Sequence, residues 1–379
     1  MDGLVAFARS LRVEPRPRQS ARFKLALLLG VLAAALLAGA ALLLATGFEP
    51  IPALRLMIVG GVRSELALRR TLILATPLIL TGLAAAIAFR MVIWNIGAEG
   101  QLYAGAIGAS GVALLFVDGL PPSMAVPVVL AAGALGGALL ASIAAVPRAY
   151  FGTDEVTSTL MLNFMALFLM NYLVLGSSSL WRDLDRPNFP TGEPIPQVAE
   201  LPLLWGTGRR GLHIGFLLAV ILALGLWAAI RKTPWGFEVR AIGDSPKAAR
   251  YAGMNVTRKT ISVLMLSGAL AGLAGGIEVS GVLRALEPGA LSIGLGYTGI
   301  VVAALARLNM AAVIPVGLVV AAITNSGQAL QTLGIPNSVV IAFHGILLLA
   351  AAAGQFFALY RVRVVDRSGS KVALGGGRP

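Results

Sequence analysis

The run Thr71-Leu72-Ile73-Leu74-Ala75-Thr76-Pro77-Leu78-Ile79-Leu80-Thr81-Gly82-Leu83-Ala84-Ala85-Ala86-Ile87-Ala88-Phe89, broken a few residues later by Asn95-Ile96-Gly97-Ala98-Glu99-Gly100-Gln101, decides the architecture. Nineteen uncharged residues in a row match the ~20 that a helix needs to cross the hydrocarbon core of a bilayer. Similar runs follow one another along the chain, at 24–46, 71–89, 100–117, 124–146, 157–175, 213–230, 260–282, 294–306, 310–326 and 338–360. The first has a basic flank like that of a signal peptide, but it is longer than the usual apolar region and lacks a convincing cleavage site, so it reads as an uncleaved span. The expected fold class is therefore all-α: a polytopic transmembrane helical bundle of about ten spans. Composition agrees, since 57% of the 379 residues are hydrophobic and only 12% charged, about half the charged share of a soluble domain.

The formal charge of +13 is distributed with a pattern. Arg9, Arg12, Arg16, Arg18 and Arg22 precede the first run, Arg361, Arg363, Arg367 and Lys371 follow the last, and Arg231, Lys232, Arg240, Lys247, Arg250, Arg258 and Lys259 crowd the connection 231–259. An even span count places all three on one side, which the excess of basic residues marks as the cytoplasm. The expected organisation is a basic cytoplasmic segment 1–23, a membrane domain 24–360 and a basic tail 361–379. A nucleic-acid surface would need a folded soluble domain to present it, so no nucleic-acid partner is expected.

The break at Asn95–Gly100 has an echo in Ser292-Ile293-Gly294-Leu295-Gly296-Tyr297, 197 residues later. Each heads a small-residue span, and the five-span offset makes the second copy enter from the opposite face. That is the pattern of an inverted repeat, about 71–175 and 260–360, whose broken helices meet near mid-membrane and turn backbone dipoles toward a solute. Ordinary glycine turns are the alternative. Gly133 with Gly137, and Gly268 with Gly272 and Gly276, stand at intervals that let helices approach closely.

Intramembrane ionisable groups are costly and few here. Glu99 leads them, able either to contact a solute or to tie the irregular loop together. Asn95, Gln101 and Asn163 add amides, and Tyr297, Thr298, Asn325 and Gln328 add polar groups later in the chain. Such a lining suits an uncharged polar solute such as a sugar or nucleoside, with interhelical hydrogen bonding as the alternative for each residue. With no cysteine and only His213 and His344, no metal site and no cofactor are expected. No catalytic motif and no phosphate-binding loop occur, so the chain is not expected to be an enzyme, and any ATP must be bound by another chain. Glu99, Glu278 and Glu287 are too scattered to suggest an ion-coupled secondary transporter, which remains the alternative.

The stretch Thr233 to Met254 encodes a short helix, N-capped by Ser245, started by Pro246 and ended by Gly253. Held between two spans, it is shaped to fit a groove on another protein. The loop 176–212, with Pro187, Pro190, Pro194, Pro196 and Pro202, reads as an ordered outer lid or docking surface.

With these stretches in view, the sequence resembles a permease subunit of bacterial ATP-binding-cassette importers, in the nucleoside and simple-sugar family that also includes ribose- and branched-chain-amino-acid-like permeases. The likeness lies in Asn95 to Gln101, in Phe151-Gly152-Thr153-Asp154-Glu155-Val156 with Met161-Leu162-Asn163, and in the loop from Thr233 to Gly253. The resemblance implies cytoplasmic ATPase subunits, a second permease subunit that is the same or a sister chain, and a periplasmic or lipid-anchored solute-binding protein. It implies ATPase coupling through Gly236, Arg240, Ala241, Gly243, Asp244, Ala248, Ala249 and Gly253, a location in the bacterial inner membrane, and a nucleoside as the favoured cargo.

Overall fold

A computed structural model describes residues 11–15, 20–176, 178–185, 191–208, 211–331 and 333–364. Fourteen α-helices are described: α1 Ala21–Ala45, α2 Pro50–Val59, α3 Glu65–Arg90, α4 Ala98–Phe116, α5 Pro122–Phe151, α6 Glu155–Asn171, α7 Gly215–Lys232, α8 Pro234–Asp244, α9 Pro246–Tyr251, α10 Val256–Ile277, α11 Pro288–Leu291, α12 Leu295–Leu305, α13 Val313–Gln331 and α14 Asn337–Leu359. Helices α6 and α10 run on into π-helical turns, Tyr172–Gly176 and Glu278–Leu283. Six segments are long and apolar enough to cross a membrane: Glu65–Arg90, Pro122–Phe151, Glu155–Gly176, Gly215–Lys232, Val256–Leu283 and Pro288–Leu305. The remaining expected spans fall on α1, α4, α13 and α14, so the count of about ten goes beyond these six.

The chain divides into two units. One comprises the described parts of Met1–Leu54 and Gly334–Pro379. In it α1 packs on α14, with Gly39 against the Phe343 ring and Gly354 against Val31. Strands β1 Leu11–Pro15 and β4 Tyr360–Val364 pair antiparallel, with Glu14 bound to Arg361 at 3.0 Å. An all-α reading did not foresee this ribbon, although Leu11, Val13, Val362 and Val364 alternate as strand residues do. Arg9, Arg16, Arg18, Arg367 and Lys371 lie outside the described residues.

The other unit, Arg55–Leu333, is organised around α3. Ser64 caps this helix by accepting from the Ala67 amide at 3.1 Å, and Glu65 stands in its first turn where the helix dipole favours an acid. From Ala75 to Ala88 every residue is buried, as expected of a helix apolar on all sides and surrounded by others. Pro77 removes one backbone donor, and the Thr81 hydroxyl donates to the Pro77 carbonyl at 2.8 Å.

Helices α4, α5 and α10 meet backbone to backbone. A Cβ at Gly272 would lie within 3.0 Å of Gly133 and Gly137 backbone atoms, one at Gly105 would strike Gly272, and one at Gly275 would strike Leu102. Lipid offers no hydrophobic drive for helix association, so close approach through small residues is what holds such helices together. Between β2 Leu203–Trp205 and β3 Leu212–His213 a second short antiparallel pair closes the connection 176–212. That connection is tied down along its described length: Ile195 donates to the Arg284 carbonyl, Leu201 to the Ser280 carbonyl, and Glu200 pairs with Arg284 at 2.9 Å. Pro187 and Pro190 lie outside the described residues.

Because the atoms facing Gly272 are backbone and cannot swing aside, Gly272→Leu should cost about 3 kcal/mol or more and lower the melting temperature of the detergent-solubilised protein. Gly225→Ala, on a face of α7 with no atom within 4 Å, should melt at or slightly above the wild-type temperature. Equal melting of Gly272→Leu and wild type would contradict the packing.

Candidate functional site

The two interruptions seen in the sequence are in contact. Helix α3 ends in a six-residue C-capping motif, in which the Val92 amide reaches the Phe89 carbonyl and the Ile93 amide reaches the Ala88 carbonyl. That motif normally puts glycine in the left-handed conformation, but here Val92 holds φ +57°, a rare state for a β-branched residue. The chain then passes through 93–97 and restarts as α4. The second interruption lies between the π-turn and α12, where Gly294 takes φ +82° as the N-cap.

Glu99 joins them. Its Oε1 accepts from the Gly294 amide at 3.1 Å and from the Tyr103 hydroxyl at 2.5 Å, and its Oε2 accepts from the Gly296 amide in a short bond. All three partners are donors, which is what a carboxylate, an acceptor-only group, calls for. Glu99 also stands in the first turn of α4 while holding the first amides of α12, so one acid meets two helix N-termini, where the dipoles favour it. Gly296 has to be glycine, because a Cβ would lie within 3.0 Å of the Glu99 backbone.

Behind Glu99 stands a closed set of amides. Asn95 Nδ2 donates to Gln101 Oε1 at 3.0 Å and to Ser267 Oγ at 2.8 Å, while Asn95 Oδ1 accepts from the Gly97 amide and from Gln101 Nε2. The Ser267 hydroxyl donates to the Ala84 carbonyl at 2.6 Å. Asn163 on α6 accepts from the Gly100 amide at 2.8 Å and donates to the Ile96 carbonyl and the Tyr297 hydroxyl. Asn95, Glu99, Gln101 and Asn163 are all at most 2% exposed. Tyr297 differs, being 40% exposed beside exposed Ser292 and Ile293.

The structure thus brings together five of the eight pathway candidates, and Thr298 stands beside them with its hydroxyl bound to its own helix at Gly294. Asn325 lies elsewhere: it donates to the Ala67 carbonyl and to Thr71 Oγ1, joining α13 to the start of α3. The Gln328 and His344 side chains lie outside the described residues. Three members of the network were not foreseen. Tyr103 was legible, one helical turn after Glu99 on the same face; Ser267 and Thr81, whose hydroxyl also reaches the Leu295 carbonyl, carry no local signal.

The Phe151 to Val156 stretch supports the first break. Gly152 ends α5 at φ +69°, and Asp154 caps α6 by accepting from Val156 and Thr157. The Thr157 hydroxyl, followed by the Val156 amide, holds the Asp154 carboxyl below its ordinary value. The cap is therefore complete above the usual aspartate range and fades as pH falls through the lowered value. Glu155 accepts from the Trp94 amide at 3.2 Å and pairs with Arg148 at 3.1 Å. In the connection 176–212, burial pushes the Glu193 carboxyl up, and Asp183 and Asp185 add to the push.

The expected connection helix forms as α9, with Ser245 accepting from the Ala248 amide, Pro246 first and Gly253 at φ +82°. Ahead of it, 234–244 folds as α8, capped by Thr233. The eight coupling candidates divide by the side they occupy. Gly236 fits against Ala229 and Ile230, Gly243 against Arg90 and Met91, and Ala249 is buried. Asp244, Ala248 and Gly253 are exposed, as is Tyr251 at 95%, while Arg240 and Ala241 are half-buried. Among the described residues no three His, Cys, Asp or Glu side chains gather as a metal would require.

A helical bundle with several segments able to cross a membrane fits a transport subunit, and its relatives are transport components rather than enzymes. Residues 67–364 match the family described as branched-chain amino acid transport system / permease component, and the chain belongs to that family. It is 33% identical over 356 residues to the glucose ABC transporter permease protein TsgB13 of Haloferax volcanii, covering 90% of this chain and 92% of that one. It is 36% identical over 299 residues to the guanosine ABC transporter permease protein NupP of Bacillus subtilis, covering 76% and 80%. To the nucleoside ABC transporter permease protein NupB of Lactococcus lactis it is 31% identical over 307 residues, covering 80% and 84%.

Glu99→Ala should leave the Gly294 and Gly296 amides without an acceptor at about 1–3 kcal/mol each, giving a clear drop in melting temperature. Glu99→Gln, which keeps one acceptor oxygen, should fall between that variant and wild type. Wild-type melting of Glu99→Ala would remove the carboxyl group from this role.

Proposed function

We propose that this chain is the transmembrane permease subunit of an ATP-binding-cassette importer that translocates a nucleoside or related simple sugar. The observation that carries the reading is its 31–36% identity, over most of its length, to permeases named for guanosine, nucleosides and glucose. The site agrees with such a cargo, because its polar groups are amides, hydroxyls and one carboxyl already held by backbone donors, leaving no free charge to attract an ion. In this reading ATP is bound by separate cytoplasmic subunits, a second permease copy or sister chain completes the pathway, and an external binding protein delivers the solute to the outer connection. The chain makes ten spans as two inverted repeats, in the cytoplasmic membrane, with both termini and the 231–259 connection inside.

The eight pathway residues take different parts. Tyr297 and Thr298 line the route at the second break, Tyr297 offering an aromatic face to a base or sugar ring. Asn95, Glu99, Gln101 and Asn163 fix that break from behind, and Asn325 and Gln328 belong to α13 at the edge of the route. In the connection, Gly236, Gly243 and Ala249 seat α8 and α9 on the spans, and the face of Asp244, Ala248 and Gly253 meets the ATPase, with Arg240 and Ala241 at its rim.

Exposure makes Ala248 a clean test, since a substitution there disturbs no internal contact, whereas one at Gly243 would. Reconstituted with its ATPase and binding protein, the Ala248→Glu variant should insert and melt as wild type yet lose at least about tenfold in ATP-driven nucleoside uptake. Tyr297→Ala should lower uptake without lowering the melting temperature. Accumulation of solute by the purified chain alone, under an ion gradient and without ATPase, would overturn the importer reading in favour of an ion-coupled carrier.

A further inference from the structure

A cavity of about 440 Å³ opens beside α8, on the same face as the 231–259 connection, and its polar lining is almost entirely cationic. Arg90, Arg231, Arg240 and Arg307 all reach it, and no acidic side chain lines it. Among the described residues none of the four makes an ion pair. Among the described residues Arg240 Nη1 is buried with no hydrogen-bond partner, and a buried guanidinium donor favours a site that offers it an acceptor.

The backbone adds a second, independent observation. Helix α12 ends in the same capping motif as α3, with Arg307 donating to Ala304 and Leu308 to Ala303. Arg307 therefore holds the left-handed position that glycine favours, at φ +54°, and Leu308 follows at φ +56°. Both are conformations that L side chains disfavour, and Arg307 in this position reaches the cavity.

Arg90 and Arg231 stand in the last turns of α3 and α7, and Arg307 just past α12. Three helix C-termini bring about −1.5 charges in total. Four guanidinium groups outweigh them; Arg90, Arg231 and Arg307 are exposed to solvent, and the buried Arg240 donor sits among them with no acid in the described lining, a setting that favours an anion. A volume of 440 Å³ lies within the range of small-molecule sites. Guanidinium forks match the oxygens of a phosphate group two at a time.

The other walls indicate where that phosphate comes from. Trp227, Leu308 and Met310 supply an apolar side, and the Arg231 guanidinium lies over the Trp227 ring at 5.0 Å. Trp beside Arg at the end of an apolar helix is the arrangement found at the boundary between hydrocarbon and water. Basic cavities between spans at that level suit anionic lipid head groups. We infer that this cavity binds the phosphodiester head group of an anionic phospholipid such as phosphatidylglycerol, with its acyl chains along Trp227, Leu308 and Met310. The inference stands on the cavity itself and does not depend on which solute is carried.

The test uses the full chain in mild detergent, titrated with phosphatidylglycerol brominated near the head-group end of its acyl chains. The part of the fluorescence quenching lost in Trp227→Phe reports on this cavity. Phosphatidylglycerol should quench it at about tenfold lower concentration than brominated phosphatidylcholine. Arg307→Gly, which suits the left-handed backbone, and Arg240→Gln should each bring the two lipids together while leaving the melting temperature intact. Equal quenching by both lipids in the wild-type chain would overturn the inference and leave the cavity for an acidic protein segment. Unchanged selectivity in both variants would also overturn it. Competition by millimolar inorganic phosphate would assign the site to a free phosphate and overturn the lipid assignment.

Discussion

A buried backbone amide must find an acceptor, and Glu99 is where this chain meets that demand. Interrupting and restarting a helix exposes the first amides of the new helix, which have no partner within it. At the second break, Gly294 and Gly296 obtain their acceptors from a side chain 195 and 197 residues earlier. The carboxyl group needs donors as much as the amides need an acceptor, so neither break is complete without the other. Glycine at 296 follows from this, since the bond requires the two backbones to touch. Asn163 performs the corresponding service for the first break, accepting from Gly100 and donating to Ile96.

The breaks are anchored in a part of the fold that has little freedom to move. On one side the glycine faces of α4, α5 and α10 are locked by backbone contacts that no side chain rearrangement can loosen. On the other, α8 abuts the end of α3 through Gly243, which faces Arg90 and Met91, immediately before the strained Val92 and the first break. The 231–259 connection thus packs directly on the residue where α3 stops. Val92 in a left-handed conformation is strain of the sort that persists only where its surroundings over-determine it. Here the capping bonds to Phe89 and Ala88 and the Glu155 bond to Trp94 supply that restraint.

Long-range order explains what could and could not be read from sequence. The apolar runs needed only length and composition, and each expected span coincides with a helix. The Ser245, Pro246 and Gly253 signals are local and placed α9 directly. Helix α8 was missed because Gly236 and Gly243 are poor helix formers; their contacts with Ile230 and Arg90 are tertiary and invisible in the sequence. The same holds for Glu99, where the residue type announced importance but left open whether it served solute or backbone. The approach of α12 supplied two of the three donors, and Tyr103 on α4 the third. Asn325 looked like its fellow amides and binds the start of α3 instead, through acceptors 258 and 254 residues away that no local pattern announces.

Magnitudes indicate which part of the site can change during transport. Hydrogen bonds to a charged group are worth about 1.5–3 kcal/mol each, and orphaning their buried partners costs about as much again. Opening the three bonds at Glu99 would therefore consume a large share of the ~5–15 kcal/mol that holds a domain folded. The reciprocal Asn95–Gln101 pair is no cheaper, being fully buried with every polar atom matched. Tyr297 is held by one hydrogen bond from Asn163 and is already part exposed. A solute that offered Asn163 an acceptor could displace it at almost no net cost. On these magnitudes the joined breaks are the part of the site that resists opening most, and the Tyr297 side chain is the part held most lightly.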